Sequence, residues 1–422
     1  MDSYLPGASY ETPRAPATDA SFAEPIPILS THVPMNAQET EDRFTLQTYP
    51  KFPFAIVKGQ GSYVFDEKGK RYLDLYGGHA VSCLGHSHPG WVAALGRQAA
   101  SMDFYSNICY HPLRAEAAER LVRHSYPSMV GAYFCNSGAE ANETALKIAR
   151  KLTGRPFVVA LNAGFHGRTM GALSVTGVQK MREAFPQNLS SWTRFVDLGD
   201  ARAIEALDPK EIAAIILEPI QSLAGVRMAP PDYYRFLRRY SSAHGIALIF
   251  DEVQTGNGRT GKWFVGHHWD VEPDIVTTAK GVGGGFPVGA VIANGWVAAS
   301  VKSGDQGTTF GGSPMAAQAV AITYRILEDE GIVEQVARRS AMVVERLRSM
   351  VGRSRVREVR GLGYLLGVEC DLPAKEMQAR LLGDGVLVGT SYHPSTFRLL
   401  PPLTVSDAEW DEFFQVFEKI SR

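Results

Sequence analysis

The sequence predicts an α/β fold, with a large domain built on a mostly parallel sheet and a smaller α+β domain beside it. Short, almost wholly apolar runs at 157–161, 213–217, 246–250 and 275–278 alternate with helical stretches, the pattern of a parallel sheet covered on both faces. From Val333 onward the order changes to helix, two neighbouring strands, helix, two short strands and a last helix, which reads as a separate α+β unit. The chain has 422 residues, too many for one small core, and suits roughly two or three domains of about 100–200 residues each.

Charge and composition narrow the function classes. With 43 basic and 44 acidic residues the net charge is −1, so no strong field recruits nucleic acid or an anionic membrane. No apolar run approaches the roughly 20 residues that cross a bilayer, and the N-terminus lacks the basic and apolar blocks of a secretory signal. Residues 1–36 are rich in Pro, Ala, Ser and Thr without apolar periodicity and read as a disordered arm. Asp2, Glu11, Asp19 and Glu24 within it argue against an organelle transit peptide, so the cytoplasm is the expected location. Cys83, Cys109, Cys135 and Cys370 lie far apart with no zinc-type spacing and are expected as reduced, buried thiols.

Along the chain, 54–58, 62–65 and 71–75 alternate around Gly-containing turns and predict a small antiparallel meander. Residues 76–81 lead through 84–89 into a helix starting near Trp91. His86 and His88 stand two apart on a loop and cannot share a helical face, so no metal site is expected there. The strand 130–135 runs directly into a helix. Ser137 and Glu140 form a capping box, and Ala141, Ala145, Ile148 and Ala149 form its apolar face. Ser137, Gly138 and Ala139 leave the first-turn amides open, which makes either an ordinary N-cap or an anion site suited to a phosphate. Past the strand 157–161 come Phe165, His166 and Arg168, where α/β sheets place ligands. Phe165 is either a core ring or a stacking platform, and Arg168 either a surface ion pair or a carboxylate fork.

The next strands end on chemistry-bearing residues. Run 213–217 ends at Glu218, 246–250 at Asp251, and 275–278 at Lys280 before a glycine cluster. A lysine at a strand end either opens a loop or, partly desolvated, serves as a neutral amine that captures a carbonyl. Asp251 at the end of a buried strand is costly unless a cation such as a protonated pyridine nitrogen meets it. A further strand, 288–293, precedes the loop 307–314, where Thr308 and Thr309 offer hydroxyls either to a phosphate or to a cap for the helix 315–329. Strands 356–360, 365–369, 386–388 and 396–400 follow. Arg398 lies among apolar neighbours, either snorkelling to the surface or aimed into a cleft.

Taken in order, 136–143, 165–169, 218–221, 251–256, Lys280 with its glycines, and 308–312 resemble the motifs of the class III pyridoxal-phosphate-dependent aminotransferases of fold type I. The likeness covers about Thr48 to Ile420 and is greatest to the acetylornithine and ornithine aminotransferases. It implies a seven-stranded-type sheet, with a large cofactor domain over 91–310 and a small domain made of 37–90 and 311–422. It implies that Lys280 forms the Schiff base with pyridoxal 5'-phosphate and shuttles protons, while Asp251 pairs with the pyridinium nitrogen. Val253 and Phe165 would flank the ring, with Gln254 near its hydroxyl and Glu218 in the same set. Ser137, Gly138 and Ala139 would hold the phosphate, joined by Thr309 from a neighbouring subunit, hence a homodimer. Tyr49 and Arg168 would take the α-carboxylate of a diamino acid, Arg398 that of glutamate or 2-oxoglutarate, and Thr308 a further substrate contact. The expected reaction moves the terminal amine of N2-acetyl-L-ornithine or a related diamino acid to 2-oxoglutarate, in arginine biosynthesis. Ornithine, a lysine-pathway amine or γ-aminobutyrate are the alternative donors. Two residues depart from the pattern: Leu223 stands where a gating glutamate is expected, and His79 occupies a position tied to donor choice, either bonding an acyl oxygen or bonded to backbone.

Overall fold

A computed structural model describes residues 37–185 and 189–422, so the arm expected over 1–36 lies outside the described residues. The chain divides into two compact units, the boundary falling between Ala55 and Ile56. In the first, the helix Ala37–Phe44 is followed by Lys51, which reaches back to Glu41 at 3.1 Å and Asp42 at 3.2 Å, and Phe52 stacks on Phe54.

The second unit is organised on a seven-stranded sheet. Its order is Met129–Cys135, Gly289–Asn294, Ile275–Thr278, Ala247–Asp251, Ile212–Leu217, Phe157–Leu161 and Thr193–Val196. Only Gly289–Asn294 runs against its neighbours. Residues 279–288 between it and the preceding strand are too few for the crossover of a dozen or more that a parallel return needs. The expected parallel core is therefore present. Thr193–Val196, which the sequence reading passed over, forms its far edge; four residues carrying Thr and Arg give a weak apolar signal.

The alternation of side chains explains why these strands read as continuously apolar. Ile215, Leu217, Leu248 and Phe250 pack on one face against Tyr234 and Leu237 of the helix Pro231–His244. Ala214, Ile216, Ala247 and Ile249 pack on the other against Ala141, Ala145, Ile148 and Ala149 of the helix Gly138–Thr153. Both faces are dry, so each strand needs apolar residues at every position, and each fully buried large side chain contributes about 1.5–3 kcal/mol.

Two four-stranded sheets complete the unit. The expected meander forms as Ile56–Gln60, Tyr63–Asp66 and Arg71–Asp74. It gains a fourth, parallel strand from far along the chain, Val386–Leu387, which pairs with Leu73 and Asp74. One residue later Gly389–Thr390 joins the other sheet, beside Thr396–Leu399, Leu365–Cys370 and Val356–Leu362. The stretch expected as one strand at 386–388 is thus a switch between two sheets.

Cys83, Cys135 and Cys370 are buried as expected, whereas Cys109 is exposed, because it sits between the helices Pro89–Ser101 and Pro112–His124, outside either packed face. His86 and His88 are taken up by carboxylates, His86 by Asp74 at 2.8 Å and His88 by Glu330 at 3.3 Å.

Candidate active site

Ile212–Leu217, Ala247–Asp251 and Ile275–Thr278 are adjacent parallel strands, so their carboxyl ends share one rim. That rim receives Glu218, Asp251 and Lys280, as expected, at the place where open α/β sheets bind ligands. Asp251 is 4% exposed. Its Oδ2 accepts from Asn142 Nδ2 at 2.7 Å and meets His166 Nδ1 at 2.8 Å, and its Oδ1 accepts from the Val253 amide at 3.1 Å. Asn142 is itself oriented by the Thr277 hydroxyl, which donates to its Oδ1 at 2.7 Å. The carboxylate is therefore aimed, with no lysine or arginine paired to it among the described residues.

Glu218 is also buried, and its Oε1 accepts from the Phe165 amide at 2.7 Å. Burial pushes this carboxyl up to about 7, a shift opposed by His166 and reinforced by Asp251. Lys280 opens a single 3-10 turn, Lys280–Gly283, with φ at +52°, a left-handed conformation that costs a non-glycine residue about 1–3 kcal/mol. Desolvation lowers its pKa; Asp251 and Glu218 oppose that shift, and Arg398 adds to it. A lysine so placed has an enlarged neutral, nucleophilic fraction.

Beside this rim the helix Gly138–Thr153 begins. Ser137 Oγ accepts from the Glu140 amide at 3.2 Å, so the N-cap forms. The expected reciprocal bond does not: Glu140 reaches past Ser137 to the amide and side chain of Asn136, at 2.6 and 3.0 Å. Gly138 and Ala139 are the first helical residues, whose amides have no carbonyl to meet within the helix. A Cβ on Gly138 would fall 2.9 Å from both Val253 methyls. Gly138→Ala is therefore expected to push Val253 out of place at a cost of about 1–3 kcal/mol, read as weaker cofactor affinity in a titration of the apoprotein. Unchanged affinity and melting temperature would show that this close approach does not shape the site.

Arg398 resolves in favour of the cleft. It is 2% exposed, donates from Nε to Thr390 O and from Nη1 to Ser222 Oγ, both at 2.8 Å, and acts electrostatically on Lys280, Glu218 and His79. The side chain meeting it is Ser222; Leu223 next door offers only its carbonyl, to the Tyr392 amide. His79 lies in a run of four left-handed residues, Gly77 to Ala80, and Gln254 Nε2 donates to its carbonyl at 3.1 Å. Partial desolvation, then the charges of Arg398 and Lys280, push its imidazole down to about 4, so it is neutral at physiological pH. Its ring nitrogen bonds the Tyr76 hydroxyl at 2.5 Å.

Other expected residues lie further out. Phe165 is half-buried with the exposed Arg168 over its ring at 6.0 Å. Thr308 Oγ1 accepts from Asn136 Nδ2 at 3.2 Å, which brings the loop beside the helix start, while Thr309 is exposed. Tyr49 belongs to the first unit and is exposed. Sequence reasoning missed Asn142, Ser222 and Tyr76, and placed His166 past the strand end without giving it a role. Asn142 gave one available signal, a polar residue interrupting the apolar face between Ala141 and Ala145.

The residues present fit pyridoxal phosphate: open first-turn amides for its phosphate, a Gly138 without a side chain under Val253, an aimed buried carboxylate, and a desolvated lysine. Comparison with known proteins agrees. The family model of class-III aminotransferases matches residues 45–421. The acetylornithine aminotransferase of Streptomyces coelicolor is 45% identical over 85% of this chain and 88% of its own length, and that of Methanopyrus kandleri 41% identical over 90% and 97%. Among solved structures, the ornithine aminotransferase of Toxoplasma gondii superposes with a TM-score of 0.85 at 30% identity, covering 90% of this chain and 92% of that one. An S-selective transaminase from an Arthrobacter species also gives 0.85, at 26% identity over 90% and 96%. The chain belongs to the class-III aminotransferases, and its cofactor is pyridoxal 5'-phosphate.

Proposed function

We propose that the protein moves the terminal amino group of N2-acetyl-L-ornithine, or a closely related diamino acid, to 2-oxoglutarate, giving the semialdehyde and L-glutamate in arginine biosynthesis. The observation that carries this reading is the pair of guanidinium groups at different depths: Arg398, buried with only neutral partners, and Arg168, exposed beside Phe165. Two separate carboxylate handles suit an amine donor held by its α-carboxylate and a dicarboxylate acceptor held by both ends. The names of the relatives that cover nine-tenths of the chain support the acylated donor, and the ornithine aminotransferase likeness keeps free ornithine as the second reading.

Pyridoxal phosphate, when bound, supplies an electron-accepting ring through which the amino group passes from one substrate to the other. The chain's residues do the rest. Lys280 Nζ, its pKa lowered, takes and returns a proton. Asp251 would keep a negative charge where the ring nitrogen would sit, Gln254 would face the ring hydroxyl, and Glu218, its carboxyl pushed up by burial, would lie between Lys280 and Asp251 in charge. Ser137, Gly138 and Ala139 would hold the phosphate. Thr309 and Thr308 would act across a homodimer interface, Arg168 on the donor carboxylate, and the enzyme would work in the cytoplasm. We read 91–310 as the cofactor domain and 37–90 with 311–422 as the small domain.

A panel of diamino acids against 2-oxoglutarate, with glutamate formation as readout, tests this. N2-acetyl-L-ornithine is expected to react best, at its terminal amine. Consumption of α-amines alone would overturn the assignment.

A further inference from the structure

The burial of Arg398 poses a question that the reaction does not answer. A guanidinium carries five N–H donors, and two are accounted for here, on Thr390 O and Ser222 Oγ. No carboxylate forms an ion pair with it among the described residues. The remaining group that bears on it is Tyr76, whose ring lies against Gly389 directly across the strand pair from Arg398 and whose hydroxyl stands 2.5 Å from His79 Nδ1.

The surroundings of Tyr76 are built for this placement. Asp74 Oδ1 accepts from the amides of Tyr76 and Gly77, at 3.0 and 2.9 Å, and the Leu400 amide donates to Leu75 O at 2.8 Å, which moors the segment to the end of the Arg398 strand. The tyrosine ring then lies over Gly389, the cross-strand partner of Arg398, where a Cβ would fall 2.4 Å from Cε2. On its other side His79 packs against the ring, with centroids 4.6 Å apart. Backbone on both sides is fixed, so any movement of this half-buried residue lies in its side-chain torsions.

We propose that Tyr76, steadied by His79, is a displaceable neutral cover on Arg398. Its hydroxyl turns from His79 onto the guanidinium while the substrate in the site lacks a distal carboxylate, and turns back when a dicarboxylate arrives. The proposal rests on the aminotransferase reading, in which one pocket serves both kinds of substrate. A carboxylate cover would form a charge-assisted pair that an incoming carboxylate must break; a phenol gives a weaker bond that the same carboxylate outcompetes. The site thus needs no glutamate at Leu223.

The test uses the holoenzyme and follows the two half-reactions separately by cofactor absorbance, one with L-glutamate and one with N2-acetyl-L-ornithine. Tyr76→Phe keeps the ring over Gly389 and removes the oxygen. KM for L-glutamate is expected to fall about 3- to 10-fold, the worth of one neutral hydrogen bond no longer displaced. The donor half-reaction is expected to lose about 10-fold in kcat/KM, because a buried donor is left without an acceptor. His79→Ala, which removes the packing that steadies the ring without deleting the hydroxyl, is expected to move both numbers in the same directions by less, and gives a second arm should Tyr76→Phe lose its cofactor. Equal changes in both half-reactions, or none, would overturn the proposal. Failure of the unaltered enzyme with both substrates would instead overturn the functional reading.

Discussion

Lys280→Ala is expected to lower kcat by more than about 10⁴-fold, the upper end of what a single general acid/base supplies, since on the proposed reading the same amine would also anchor the cofactor. Among the described residues Lys280 is the lysine that acts on Glu218, and the cation acting on Lys280, Arg398, is tied to Thr390 and Ser222. The loss should be chemical rather than structural. Lys280 is held at φ +52° and desolvated, so Lys280→Gly removes both penalties and is expected to raise the thermal stability of the apoprotein by about 1 kcal/mol or more. Steady-state rates and melting temperatures on the two variants check this. A variant that keeps a tenth of the wild-type rate would show that the catalytic amine lies elsewhere.

Asp251→Asn is expected to be nearly as severe, at about 10²–10³-fold in kcat, the range seen when one preorganised electrostatic partner is removed. The shape is kept, but an amide NH2 now faces donors. Asn142 Nδ2 and the Val253 amide both point at the position, and His166 closes the third side. At least one buried donor then lacks an acceptor, which costs about 1–3 kcal/mol of stability. Rate and melting temperature should therefore fall together in this variant, unlike at Lys280. A stable protein with activity within tenfold of wild type would mean that Asp251 is a structural anchor for Asn142 and His166 only.

Much of this site was legible because parallel sheets impose a rule: apolar runs must end somewhere, and the residues at their carboxyl ends share an edge. Glu218, Asp251 and Lys280 followed from that rule alone. Arg398 did not, because its two readings differ only in what lies across the strand, and that was settled by Gly389, Ser222 and Thr390 from other parts of the chain. The capping box at Ser137 failed for a related reason: Asn136 offered Glu140 two donors in place of one. Asn142 was hidden, and the role of His166 with it, because a polar residue facing a core is informative only once its partner is known. The same limit applied to Tyr76, whose neighbours lie 3 and about 300 positions away in the sequence, at His79 and Arg398.

The passage of 386–390 from one sheet to another has a consequence for biosynthesis. The meander carrying Tyr76 and His79 receives its last strand only when Val386–Leu387 exists, and the partner of Arg398 follows at once in Gly389–Thr390. A ribosome must pass Thr390 before the pocket can close, so until then nascent chains carry an unfinished sheet edge. Products stalled short of that segment should be captured by chaperones or degraded, never released as partly active enzyme.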